Sequence, residues 1–182
     1  MILLVVDTQK GITDERLYSF EKIEHNIKAL ITEARQNNIE VVYIRHDDGP
    51  GTGFSVGDDE FQIYEGFAPQ EGEHIFDKTE NSAFYDPSGL LKYLSEKQEN
   101  TIMIVGLQTN FCIDATIKSG FEHGFKMIVP EYTNSTFDNE YMKKDVCYHY
   151  YNDFIWPKRY AQCVSMEDAI EMLRRSQVKK YL

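Results

Sequence analysis

Hydrophobic and polar positions along this chain follow two alternating patterns. Ile2 to Val6 is a continuous apolar run, as expected of a strand buried on both faces of a sheet. From Ser19 to Asn37, by contrast, Ile23, Ile27, Leu30, Ile31 and Ala34 fall on one stripe, which predicts a helix with a single buried face. The alternation then repeats. Strands are expected at Glu40 to Ile44, Glu73 to Phe76, 101 to 105, Lys126 to Val129 and 161 to 164. Helices are expected at Ser88 to Lys97, 112 to 123, Asp138 to Tyr151 and Met166 to Arg175. The longest loop is a polar, glycine-rich segment from His46 to Gly72.

Strands that alternate with helices imply parallel pairing through right-handed crossovers, with helices on both sheet faces. The expected fold class is therefore α/β: a three-layer α/β/α Rossmann-like sandwich around a mostly parallel central sheet of about six strands. No repeat, low-complexity tract or linker interrupts it, so residues 1–182 read as a single domain.

In such sheets ligands bind beyond the carboxyl ends of the strands, which makes strand ends the candidate site positions. Three carry reactive groups: Asp7 after the first strand, Lys78 after the third and Cys112 just past the fourth. Cys112 falls where the turn becomes a helix. The first N–H groups of a helix lack internal partners and carry the positive end of its dipole, which favours a thiolate and could also receive an oxyanion. On that stretch alone, a small buried hydrophobe is an equal reading. Asp7 alone could be a cap, and Lys78 alone a surface lysine. Together a carboxylate, an ammonium and a thiol form a coherent nucleophilic set.

Composition narrows the function. Hydrophobic residues at 42% of 182 place the chain among globular proteins. A net charge of -11 argues against nucleic acid and anionic membranes as partners, since both would be repelled before contact. The basic end, Arg174, Arg175, Lys179 and Lys180, reads as a solvated helix face. Cys112, Cys147 and Cys163 show neither disulfide nor zinc spacing, which suits a reducing compartment; the last two read as packing residues. The opening apolar run meets Asp7 too early for a signal peptide or membrane span, so a cytoplasmic location is expected.

The long loop has the composition of a mobile cover. Its Gly49-Pro50-Gly51-Thr52-Gly53 is no phosphate cradle, because no lysine closes the motif and Asp47, Asp48, Asp58, Asp59 and Glu60 surround it. Those acids keep the loop soluble or favour a neutral or cationic substrate. Phe54, Phe61, Tyr64 and Phe67 either wall an apolar pocket or pack against the domain or a second subunit. The aromatic run Tyr148, His149, Tyr150, Tyr151, Phe154 and Trp156 has too many rings for one buried face, which suggests a pocket contribution or a subunit interface.

Three segments carry a resemblance: Val5-Val6-Asp7-Thr8-Gln9, Phe76-Asp77-Lys78-Thr79-Glu80-Asn81-Ser82-Ala83-Phe84 and Val105-Gly106-Leu107-Gln108-Thr109-Asn110-Phe111-Cys112-Ile113. With these in order over nearly the whole chain, the sequence resembles the isochorismatase-like cysteine hydrolases, which include nicotinamidases, N-carbamoylsarcosine amidases and ureidoacrylate amidases. The resemblance implies a catalytic triad of Asp7, Lys78 and Cys112. It also implies a cis peptide between Leu107 and Gln108 and an oxyanion hole from the backbone N–H groups of Gln108 and Cys112. It places Gln9 beside Asp7 at the site mouth. Gln9, His46, Phe54 and Phe84 are the expected substrate-binding residues.

The expected activity is hydrolysis of a C–N bond in a small amide, carbamoyl or ureido compound through a Cys112 thioester. No cofactor is expected, and the expected assembly is a homo-oligomer, dimer or tetramer. Nicotinamidases carry an Asp-x-His metal motif, but this chain has Arg45-His46-Asp47-Asp48 and resembles the metal-free branch, with His46 a pocket or structural residue. True isochorismatases lack the cysteine. Those two activities, and a non-catalytic or redox-sensing interaction module, are the alternatives.

Overall fold

A computed structural model describes residues 1–178; Lys179 and Lys180 of the basic end lie outside them. The helices and strands, in chain order, are β1 (Ile2–Val6), α1 (Phe20–Gln36), β2 (Glu40–His46), β3 (His74–Lys78), α2 (Leu90–Glu96), β4 (Thr101–Leu107), α3 (Asp114–Glu122), β5 (Lys126–Pro130), β6 (Asn134–Ser135), α4 (Lys144–His149), β7 (Gln162–Val164) and α5 (Met166–Val178). Seven strands form one parallel sheet in the order β3-β2-β1-β4-β5-β7, with the two-residue β6 pairing the end of β4.

Alternation along β1 divides the core in two. Ile2, Leu4 and Val6 face Leu90, Leu94, Ile113, Ile117 and Trp156, whereas Leu3 and Val5 face Ile23, Ile27, Leu30, Ala169 and Leu173. All of these side chains are almost fully buried, and each large aliphatic one contributes about 1.5 to 3 kcal/mol. With both faces covered, β1 had to read as an unbroken apolar run. The apolar stripe predicted on α1 is the face it buries, with Ser19 and Asn37 flanking the helix as caps.

Several boundaries differ from expectation. β2 and β3 end at His46 and Lys78, two residues beyond the predicted stops, so Lys78 is the last residue of its strand rather than lying past its end. The helix expected from 112 begins earlier, as a π-helical turn over Thr109–Ile113 that runs into α3. The helix expected from Asp138 begins at Lys144, because Asp138 turns back to accept the Lys144 N–H at 2.8 Å. It continues as a π-helical stretch, Tyr150–Ile155, which spreads the aromatic run. Trp156 is fully buried, its indole N–H donating to Asp114 at 2.9 Å, while Phe154 is 70% exposed. The run does not line the cavity described below.

At Gly106 the backbones of β4 and β1 meet so closely that a Cβ would lie 1.9 Å from the Val6 carbonyl oxygen. With φ of +126°, this position admits only glycine.

Candidate active site

The sheet order gathers the reactive residues. β3, β2, β1 and β4 are successive neighbours, so their carboxyl ends form one edge. His46 and Lys78 are register partners there. Asp7 follows Val6, which pairs with Ile44 on one side and Gly106 on the other. Asp7 takes a left-handed φ of +50°, a conformation aspartate tolerates better than most residues, and its N–H bonds the Ile44 carbonyl at 2.9 Å. Past β4, the Leu107–Gln108 peptide bond is cis and the π-helical turn delivers Cys112 to the same edge.

Lys78 is the centre of the cluster. Its ammonium donates to Asp7 Oδ2 at 2.8 Å, to His46 Nδ1 at 3.0 Å and to Cys112 Sγ at 3.3 Å, which accounts for all three of its hydrogens. Because an ammonium only donates, His46 Nδ1 accepts, and Nε2 donates to Asp48 Oδ1 at 2.9 Å. The second Asp7 oxygen, Oδ1, is buried with no hydrogen-bond partner among the described residues. Ligating atoms of Asp7, His46 and Cys112 lie within 4.8 Å of one another, close enough to bind a metal ion. Lys78 nevertheless donates to all three side chains, so a cation of the protein's own already holds this donor set.

Burial dominates the electrostatics. It raises the Asp7 carboxyl, against the lowering effect of the Lys78 charge. It also pushes the Cys112 thiol up to about 12, and the Asp7 charge adds to that rise while Lys78 opposes it. A helix start alone would predict a lowered thiol, but here desolvation outweighs it. The Lys78–Asp7 pair is neutral overall, so a thiolate at Cys112 would add an uncompensated negative charge, which favours the thiol.

The cluster opens into a cavity of about 340 Å³ whose floor is Asp7, His46, Gln108 and Cys112. Ile12, Phe54, Asn81 and Phe111 wall it, with Asp48 and Glu60 also in its lining. Asn81 Oδ1 lies 3.6 Å from Cys112 Sγ. Asn81 and Phe111 were missed as site residues, although both lie inside the motif segments, beside Lys78 and Cys112.

Two expected substrate contacts lie elsewhere. Phe84 points into the core, its ring stacked 5.2 Å from that of Phe125 and 5% exposed, because the chain after Lys78 turns inward at Ala83. Gln9 is fully buried. Its amide donates to the His46 and Phe61 carbonyls and accepts the His46 N–H, so it fastens the long loop to the sheet. Phe61 is buried under Arg45, and Tyr64 and Phe67 pack edge-on against each other.

The chain is similar to known proteins over most of its length. An Isochorismatase domain family model matches residues 1–168. An isochorismatase family protein of Bacillus subtilis is 32% identical over 126 residues, 68% of this chain and 67% of that protein. A maleamate amidohydrolase of Pseudomonas putida is 30% identical over 111 residues, 60% of this chain but only 48% of the amidohydrolase. A crystal structure of an isochorismatase family protein superposes with a TM-score of 0.82 at 28% identity, covering 90% of this chain and 97% of that one. No described helix is long and apolar enough to cross a membrane. The matched span takes in all of β1 to β7 together with Asp7, Lys78 and Cys112, and on that ground the chain belongs to the isochorismatase family of hydrolases.

Proposed function

We propose that the protein is a cysteine hydrolase that cleaves a C–N bond of a small amide, carbamoyl or ureido compound, with Asp7, Lys78 and Cys112 as its triad. The observation that carries this reading is the Lys78 ammonium, bonded at once to Asp7 and Cys112 just behind the floor they form in an open cavity. The amidohydrolase relative supports the choice of bond.

In this mechanism Asp7, whose Oδ1 is free, takes the thiol proton as the sulfur attacks the carbonyl carbon. Backbone N–H groups of Gln108 and Cys112 receive the oxyanion. The leaving nitrogen takes the proton back from Asp7, giving a Cys112 thioester and a free amine or ammonia. Asp7 then deprotonates a water that releases the acid. Throughout, Lys78 balances whichever partner carries the negative charge, so the buried cluster never holds an uncompensated ion. His46 and Asp48 hold the lysine in register.

Three free cysteines support a reducing, cytoplasmic setting, and the exposed rings of Tyr150 and Phe154 support a homo-oligomer. The test is rapid acid quench of turnover followed by mass spectrometry. An acyl group on the Cys112 peptide is expected; turnover with no adduct there, together with an undiminished rate in Cys112→Ala, would refute the reading.

A further inference from the structure

We infer that the substrate is cationic, with an organic ammonium or guanidinium group near the scissile amide that is drawn in by Glu60 and Asp48. This rests on the hydrolase reading above and adds the charge class of its substrate.

Asp7, Asp48 and Glu60 line the cavity, and among the described residues no lysine or arginine does. Lys78, behind the floor, is the ion-pair partner of Asp7. The other nearby cations are paired outside the cavity. Lys10 binds Asp59 at 2.8 Å, and Arg16, although it feels the Glu60 charge, is held by Asp14 and the Gly11 carbonyl. Asp48 takes its hydrogen bond from the His46 ring. Two negative charges therefore remain over a pocket with apolar walls, where field lines concentrate.

Glu60 is exposed, but its backbone is anchored where it lines the cavity. Its carbonyl accepts the Gly11 N–H at 3.1 Å, and a Cβ on Gly11 would lie 3.0 Å from both the Glu60 Cβ and the Phe54 ring. The Glu60 Cβ and the Phe54 ring thus flank Gly11 together, and both residues line the cavity. With Phe111 also in the wall, the cavity presents aromatic faces and carboxylates together, the surroundings an organic cation prefers. A second, independent feature points to a ligand. Asp7 is 1% exposed and lines this cavity, yet its Oδ1 has no partner, leaving an acceptor for an N–H of the bound amide.

The experiment uses the full chain and three methanethiosulfonates of similar size: trimethylammonioethyl, ethyl and sulfonatoethyl. In each case the Cys112 sulfur forms a disulfide bond to the reagent's sulfenyl sulfur, its proton leaves to Asp7, and methanesulfinate departs with the electron pair. Rates are read at Cys112 by peptide mapping, which separates it from Cys147 and Cys163. The preference for the cationic over the anionic reagent, relative to a small neutral thiol, is expected to be roughly tenfold or more and to shrink in high salt. Glu60→Gln should lower that preference by about threefold, and Glu60→Lys should reverse it. A preference equal to that of the free thiol, or one indifferent to both variants, at a Cys112 that reacts readily with the ethyl reagent, overturns the cationic substrate and leaves the hydrolase reading standing. Failure of Cys112 to react with any of the three overturns both.

Discussion

Lys78 and Asp7, 71 positions apart in the chain, form a fully buried ion pair with nitrogen and oxygen 2.8 Å apart. Removing one partner leaves the other charge stranded in the interior, and breaking such a pair costs about 3 to 5 kcal/mol. Lys78→Met should therefore lower thermal stability steeply. Adding Asp7→Asn should restore part of the loss, because the double variant buries no net charge. Melting temperatures of the four proteins in this cycle check it, and strict additivity would contradict the pairing.

The same pair governs Cys112. Asp7 raises the thiol and Lys78 lowers it. Asp7→Asn should therefore make Cys112 alkylate faster with iodoacetamide at pH 8 while amide hydrolysis falls by about 10² to 10⁴. Opposite movement of two rates in one variant is not what misfolding produces. Slower alkylation in Asp7→Asn would show that the aspartate activates the resting thiol directly.

Alkaline pH should destabilise the fold. Cys112 ionises near its ordinary 9.0 when unfolded and near about 12 when folded, so between those values the native state binds more protons and stability falls as pH rises. The contribution is whole below pH 9 and lost progressively toward 12, by up to about 1.4 kcal/mol per pH unit. Urea midpoints from pH 8 to 11 measure it, and Cys112→Ser should flatten the decline.

Gly106→Ala should fail to yield folded protein, because the added methyl would overlap the Val6 carbonyl and neither strand of the sheet centre can move away. Soluble expression with native circular dichroism would contradict the close approach of β1 and β4.

The sheet was legible in the sequence because its inner strands are buried on both faces and therefore apolar throughout, as β1 and β4 are. β3 was shortened because it is an edge strand, and Asp77 and Lys78 look like loop residues to any pattern of hydrophobicity. Arg45 supplies the missing reason for Asp77, binding it at 2.7 Å across the strands. β6, two residues long, has no period to detect.

At the site, Asp7, Lys78 and Cys112 could be singled out because strand ends are positions sequence patterns locate. Phe84 and Phe111 could not be told apart in this way. Both are aromatic residues in motif segments, and only the inward turn at Ala83 and the π-helical start at Thr109 decide that one packs in the core and the other, 52% exposed, borders the cavity. Local propensity holds no record of either.

The most direct test of the triad is release of ammonia or amine from a panel of amides, carbamoyl compounds and ureido acids, measured for the wild type and Cys112→Ala side by side. The account predicts that the wild type turns over at least one compound and that the variant, equally folded, is slower by about 10³-fold or more. A Cys112→Ala protein that hydrolyses the same compound at the wild-type rate would contradict it.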